Sequence, residues 1–429
     1  VCSPGRWEGR AVPLRRGFVG LFVATATAQV GLSIIAPILP LYVESFSATA
    51  FQIGLVFTAF SFARAVSGPF VGRLSDRVGR KPLIIWGLAG CAVASMLFPF
   101  TTSLWQIAAL RLFQGAASML VTPSAQAYVG DLTPIGREGR YMNAFSASQF
   151  IGMAIGPLLG GGIGGAWSYQ AAFLVMAGLS ALSLLLVWLT VPTDHAPKRP
   201  TPISPSARPT LRRIVSNDAI KAMLVYLMTR GFWRQSFNTF YPLLAVSLHG
   251  ASETRIGIVL SVYMFAEGLL QVPFGFLADK FSRVRQIAAG SLLAPLMLFA
   301  VPYVSTVWGI VLVTFLMGGF SALGRASVAA IRTEIGRTHG MATVAGIHSS
   351  AFSAGRIVGP IVTGAVVDAA GLLAAFPLGG TVGLAGTFLV VGWMRRWLRR
   401  DPAAPGIANP RQPAPDPPLT DARSSQVSK

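Results

Sequence analysis

Charge is scarce in this chain: charged residues make up 12% of its 429 positions, about half of the roughly 25% usual in soluble domains. Most of the chain therefore cannot face water. Acids are scarcer still, with 15 Asp and Glu against 35 Lys and Arg. Only two cysteines occur, Cys2 and Cys91, too few for a disulfide framework or a thiolate zinc site; neither redox chemistry nor a bound metal is indicated. No Gly-Lys dipeptide is present, which removes the phosphate-binding P-loop and disfavours an ATP-driven pump. No G-x-S-x-G string marks a serine hydrolase. The glycine run from Gly160 to Gly165 has no strand before it and is no nucleotide loop. The chain is read as neither an enzyme nor the holder of a cofactor.

What fills the chain instead is apolar sequence, with 53% hydrophobic residues. Runs long enough to cross a hydrocarbon core of ~30 Å, about 20 residues each, are predicted at 17–43, 52–75, 82–101, 104–130, 141–166, 169–192, 219–246, 255–278, 285–304, 306–330, 342–368 and 371–394. These runs are continuously apolar, unlike the alternating strands of a membrane barrel, and helices satisfy their own backbone groups in lipid. An all-α membrane protein of twelve spans follows.

A net charge of +20 would suit nucleic acid, but its placement points elsewhere. Arg64, Arg111, Arg230, Arg234, Arg325 and Arg356 lie inside spans and Arg255 in an outer loop. The other 28 basic residues lie in the tails, in even-numbered loops or at their borders. With both termini cytoplasmic this is the positive-inside pattern. The partners expected are a cell-membrane bilayer, a small molecule and protons, with no nucleic acid. Residues 193–218 carry five prolines and five basic residues, which breaks the helical pattern. The predicted organisation is an N-terminal tail (1–16), a six-helix bundle (17–192), a cytoplasmic linker (193–218), a second bundle (219–394) and a Pro-rich, disordered tail (395–429).

At an offset of 203 residues the second half falls onto the first. Gly54 meets Gly257, Gly72-Arg-Leu-Ser-Asp76 meets Gly275-Phe-Leu-Ala-Asp279, Gly115 meets Gly318, Asp131 meets Glu334, and Gly156-Pro157 meets Gly359-Pro360. Such parallel repeats are one transporter design, with the solute site between them near the bilayer midplane.

The loop after the second span reads Gly72-Arg-Leu-Ser-Asp76-Arg77-Val-Gly79-Arg80-Lys81. Glycines permit a tight reversal and close helix contact, and an acid at the membrane border needs basic partners to offset its desolvation. The string resembles the signature loop of the major facilitator superfamily, G-x-L-x-D-R-x-G-R-[RK], at every defined position. The resemblance implies twelve spans in two pseudo-symmetric bundles, working as a monomer, with this loop latching their cytoplasmic ends in the outward-facing state. A second copy (Gly275, Asp279, Arg283) is degenerate, because Ser282 replaces the later glycine. Within the fifth span, Gly152-x3-Gly156-Pro157-x2-Gly160-Gly161 is similar to the superfamily's antiporter motif, which implies export. Glycines four apart allow close packing and proline bends the helix.

A charge at the bilayer centre is costly unless it faces a cavity or a partner. Glu267 is the one acid well inside a span, with Tyr263 and Gln271 one turn to either side on its face. It is either a proton carrier or half of a static ion pair, and Arg64, at the repeat-equivalent position, is its predicted partner. Arg111, Gln114 and Gly115 resemble the superfamily's R-x-x-Q-G motif, implicated in proton coupling. Arg230, Arg234, Phe237 and Tyr241 share one helical face, a basic and aromatic stripe suited to an amphipathic or anionic solute. Spans 1, 4, 7 and 10 line the cavity in the superfamily. Span 1 offers only Gln29 and no acid, which speaks against cations. The expectation is proton-coupled efflux of a small amphipathic molecule or drug by alternating access; the alternatives are proton-coupled uptake or export of an anionic metabolite or sugar and, more remotely, a non-transporting membrane sensor or scaffold.

Overall fold

The computed structural model describes residues 11–133, 138–192, 217–339, 341–400 and 408. Twelve long helices follow one another there: α1 (Ala11–Glu44), α2 (Ala50–Val78), α3 (Arg80–Leu97), α4 (Leu104–Leu132), α5 (Glu138–Ala166), α6 (Tyr169–Thr190), α7 (Asp218–His249), α8 (Glu253–Lys280), α9 (Arg283–Ala300), α10 (Val307–His339), α11 (Met341–Ala370) and α12 (Ala375–Arg400). The major facilitator fold expected of the sequence is the fold observed. Connecting turns supply polar caps where the apolar runs begin. Thr49 and Gln52 form a capping box on α2, Asn217 accepts from the amide of Ala219, and Ser252 and Ser282 cap α8 and α9, each satisfying amides left open at a helix start.

Ten of these helices are long and apolar enough to cross a membrane; α5 and α7 are the two more polar ones. Asn143, Ser146, Ser148 and Gln149 dilute the first half of α5, and Lys221, Arg230, Arg234 and Asn238 dilute α7. The reason is where they sit: α7 is buried along most of its length and α5 packs on α1 and α8, so both meet protein more than lipid. Several helices outrun their predicted spans, most of all α1, beginning at Ala11, α10, continuing to His339, and α12, continuing to Arg400. The extra turns of α10 and α12 carry Arg332, Arg395, Arg396, Arg399 and Arg400, basic residues that suit the border beyond the hydrocarbon. The linker 193–216, and the tail beyond Arg400 apart from Ala408, lie outside the described residues.

The 203-residue repeat reappears as paired close approaches. A Cβ on Gly54 of α2 would sit 2.2 Å from the Pro360 carbonyl oxygen of α11, and a Cβ on Gly257 of α8 would sit 2.4 Å from that of Pro157 in α5. These are the same contact made twice, the glycine of one half against the Gly-Pro kink of the other. One turn further on, Gly364 meets the Ala50 carbonyl at 2.5 Å and Gly161 meets that of Glu253 at 2.2 Å.

All four contacts lie at the end of the bundle remote from the 72–82 loop. Hydrogen bonds join the halves there as well. Asp368 accepts from the amides of Ala50 (2.8 Å) and Phe51 (3.0 Å) at the start of α2, Tyr169 donates to Glu253 at 3.0 Å, and Thr58 donates to the Ile357 carbonyl at 2.9 Å. At this far end one core runs through both halves, from Ile34 and Phe173 to Phe237 and Phe376. Toward the loop end the core divides in two, one around Tyr128 and Phe145, the other around Tyr226 and Trp397. The molecule is closed at the far end and parted at the loop end.

Candidate functional site

Midway along the bundle α7, α8 and α10 bring four charged side chains together. Arg230 and Arg234 are one turn apart on α7 and so share a face, and both reach Glu267 of α8. Arg230 Nη2 bonds Glu267 Oε1, and Arg234 Nη2 lies 3.3 Å from Oε2. Arg325 of α10 adds Nη1 at 3.2 Å from Oε1. Gly318 makes this convergence possible: a Cβ there would stand 2.5 Å from the Tyr263 carbonyl, so any larger residue would push α10 off α8. Ser321 accepts from Arg230 Nε at 3.1 Å. Aromatic faces complete the surround, with Phe352 5.2 Å from Arg230, Tyr263 5.8 Å from Arg234 and Phe150 of α5 4.5 Å from Arg325. Glu267 is 1% exposed, and burial at that depth demands partners of opposite charge.

The predicted pairing of Glu267 with Arg64 is not what forms. Arg64 donates instead to Ser118 of α4 at 2.8 Å, while three arginines of its own half saturate the carboxylate. Repeat equivalence places Arg64 and Glu267 at matching depths in opposite halves, not side by side. The first half has no counterpart to that carboxylate among its span residues. Arg111 bonds the neutral Gln114 at 2.8 Å, lies 4.3 Å from the centre of the Phe60 ring, and leaves its buried Nε without a partner. Arg356 of α11 bonds Gln235 at 3.0 Å and feels the like charges of Arg64, Arg234 and Arg111. Three guanidinium groups thus meet one carboxylate, while Arg64, Arg111 and Arg356 rest on neutral partners.

Two overlapping matches to the Major Facilitator Superfamily model, over residues 21–250 and 222–427, cover nearly the whole chain. The chain belongs to the Major Facilitator Superfamily. Multidrug resistance protein 2 of Bacillus subtilis (strain 168) is 26% identical over 394 residues, covering 90% of this chain and 97% of that protein. Quinolone resistance protein NorA of Staphylococcus aureus is 25% identical over 347 residues, covering 79% of this chain and 86% of its own. Among solved structures, the nucleoside transporter NupG superposes with a TM-score of 0.75 at 15% identity, covering 88% of this chain and 99% of its own. The protein is a membrane-embedded secondary transporter of small molecules.

The superfamily motifs serve packing in this conformation. Gly152, Gly156 and Gly160 hold α5 against α1, where a Cβ on each would meet the backbone around Ala26, Val30 and Ile34 at 2.2 to 2.7 Å. Gly359 does the same for α11 against Phe232 of α7. In the signature loop Gly79 ends α2 with φ +99°, a conformation open to glycine. Arg80 bonds Asp131 at 3.3 Å and Ser75 at 2.8 Å, Lys81 donates to the Trp188 carbonyl at 3.0 Å, and Arg77 is exposed. These bonds tie the loop to α4 and α6 of its own half. The side chains of Gly72 and Asp76 lie outside the described residues. In the second copy Arg283 reaches Asp279 at 3.5 Å and the Ala278 carbonyl at 3.2 Å, while Gly275 has open space around it.

The remaining cavity candidates divide. Phe237 and Tyr241 stack at 5.1 Å and, with Tyr263 5.8 Å from Phe237, belong to the far-end core, so the aromatic half of the α7 stripe packs while its basic half forms the site. Gln29 packs on Gly152, and Gln271 lines an apolar cavity between α5, α8 and α10. Sequence reasoning did not find Asp368 or Phe150, because neither stands out by type or spacing. Both act across the seam, and only the docking of the halves gives them partners.

Proposed function

We propose that this transporter exports small amphipathic molecules from the cytoplasm by alternating access, selecting anionic or neutral ones over cations. One observation carries the reading: three guanidinium groups, Arg230, Arg234 and Arg325, converge on the single carboxylate of Glu267 and leave the site an excess of positive charge. Such a field gathers anions and repels cations, and Phe60, Phe150 and Phe352 offer apolar contact to the rest of a solute. The basic loops support a cytoplasmic position for the signature-loop end and both termini, and in that orientation the parted end faces the solute to be exported. Similarity to the two bacterial resistance proteins supports the outward direction, and an inside-negative potential drives an anion outward by ~2.3 kcal/mol per charge per 100 mV.

Protons are the proposed coupling ion, with Glu267 as their site. A solute anion that takes Arg230, Arg234 or Arg325 withdraws compensation from the carboxylate, which then gains by accepting a proton. Taken alone, this sharing of guanidinium groups favours a second reading, proton-coupled uptake, and the outward direction rests on the similarity to the two resistance proteins. Anion and proton would promote each other's binding and travel together. Oriented proteoliposomes with an imposed pH gradient decide. Export by exchange is expected to speed anion movement when the opposite compartment is acid, with cations of similar size left behind. Acceleration by acid on the anion's own side would overturn the exchange reading in favour of cotransport.

A further inference from the structure

Between α5, α8 and α10, on the signature-loop side of the charged cluster, lies a cavity of about 830 Å³, within the ~300–1,000 Å³ range of small-molecule sites. It runs from Met264 to Asp279 along α8, about 22 Å at 1.5 Å per residue, more than half of a ~30 Å hydrocarbon core. Its outer wall is formed by Phe265, Leu269, Val272 and Phe276, which follow one another at helical spacing and are 53 to 67% exposed. An exposed apolar stripe of this kind suits a hydrocarbon surround better than water. Its inner end touches the cluster: Met264 Sδ lies 3.1 Å from Arg234 Nη2, and the Phe150 ring lies 4.5 Å from Arg325. Gln271, on the wall, buries an Oε1 with no hydrogen-bond partner. The cavity is thus an apolar trough ending in guanidinium groups.

We propose that this trough is a lateral binding channel for a single-chain anionic amphiphile. The chain lies along Phe265, Leu269, Val272 and Phe276, and the head sits at Arg325 and Arg234, reached from the cytoplasmic leaflet. The reading rests on the anion-selective transport proposed above. It adds to it the route and the shape of the solute: an acyl tail fits the mainly apolar walls, with Asn143, Ser146, Gln271 and Asp279 the polar exceptions, and a negative head matches the guanidinium groups beyond the closed end. A zwitterionic annular lipid filling the trough is the competing occupant, and the charge at the closed end argues against it.

Full-length protein carrying Val272→Cys in a Cys2→Ser background, labelled with an environment-sensitive fluorophore and reconstituted in phosphatidylcholine vesicles, provides the test; the remaining Cys91 is buried. Dodecanoate is expected to shift the fluorescence, dodecyltrimethylammonium to leave it unchanged, and Arg325→Gln to weaken the dodecanoate response by about tenfold or more, the loss expected for a charge-assisted bond. Ala329→Trp, which fills the trough from α10, is expected to cut dodecanoate transport by roughly tenfold while short-chain hexanoate transport stays within about twofold. The exposed-site variant Val272→Trp repeats that test without touching a helix contact. Equal responses to the cation, or a dodecanoate response indifferent to Arg325, would mean adventitious lipid filling and overturn the channel. Hexanoate transport with no loss of dodecanoate transport in either tryptophan variant would overturn the channel alone and leave anion transport standing. Transport of neither anion would overturn both.

Discussion

The two halves share a scaffold and differ in how they treat buried charge. In the second, Arg230, Arg234 and Arg325 converge on Glu267; in the first, Arg64 and Arg111 rest on Ser118, Gln114 and the Phe60 ring. The difference is one of bonding, because the depth is the same: Arg64 and Glu267 are repeat equivalents. A carboxylate with three cationic neighbours can lose one of them to a solute and keep the others, whereas a guanidinium satisfied by a hydroxyl or an amide keeps most of its charge free for a solute. The first half thus supplies the available field and the second supplies the element that can exchange partners. A transporter needs both, because a site that only attracts would not release.

The largest effect should come from removing the compensation. Glu267→Ala leaves buried Arg230 and the partly buried Arg234 and Arg325 facing one another, and breaking a buried pair from one side costs about 3–5 kcal/mol. Thermal unfolding in detergent should show that loss, and transport should fall with it. Arg111→Gln, in the first half, should leave stability within about 1 kcal/mol, since it removes a charge with no acidic partner, while lowering anion affinity. Equal destabilisation by the two variants would erase the distinction between the halves. Glu267→Gln separates charge from shape: stability should fall less than for Ala, and the dependence of transport on a pH gradient should vanish.

Next comes the symmetry itself. Gly54→Leu and Gly257→Leu each drive a side chain into a proline carbonyl of the opposite half, and overpacking of this kind costs roughly 1–3 kcal/mol. Both should open the far end and shift the population away from the closed form, seen as increased labelling of a cysteine placed at Thr58. Because the two contacts are one contact repeated, the two shifts should agree within about twofold. A response to only one would show that the far end closes by one helix pair and not by two.

Much of this was legible in the sequence, for reasons that differ by residue. Gly54, Gly257, Pro157 and Pro360 were readable because a close backbone approach constrains residue type directly, and two copies at one offset report the same constraint twice. Glu267 stood out because an acid in an apolar run needs a cause. Its partners did not stand out. Arg64, Arg230, Arg234 and Arg325 are alike as sequence, and only the crossing of α7, α8 and α10 decides which three reach the carboxylate. The apolar trough was hidden for a related reason: Phe265, Leu269, Val272 and Phe276 look like any lipid-facing stripe until α5 and α10 close two sides of it.

A smaller contrast lies at the far end. Asp368 accepts from two amides at the start of α2, and its repeat equivalent is Gly165, beside Glu253 and Thr254 at the start of α8. The start of α2 therefore adds a carboxylate from across the seam to its own Thr49 capping box, and the start of α8 uses its own Ser252. Asp368→Ala should cost about 1–2 kcal/mol, as lost caps do, and speed hydrogen exchange at the Ala50 and Phe51 amides. Ser252→Ala should act locally on α8 and leave the contact between the halves unaltered. If Asp368→Ala left exchange at α2 unchanged, the added carboxylate would be ornamental to closure.

The smallest effect tests the degenerate turn. Gly79 ends α2 at φ +99°, whereas its counterpart Ser282 has φ −59° and caps α9 through its hydroxyl. The second half has thus exchanged a conformational device for a hydrogen-bonding one, and the loss of the glycine is no defect there. Ser282→Gly, which restores the pattern of the first half, should cost only a few tenths of a kcal/mol, the usual penalty for replacing a serine cap by glycine. Exchange at the Arg285 amide should rise by less than about twofold. A gain in stability would mean that the second turn still strains toward the geometry of the first, and that the two loops differ in sequence more than in the conformation they favour.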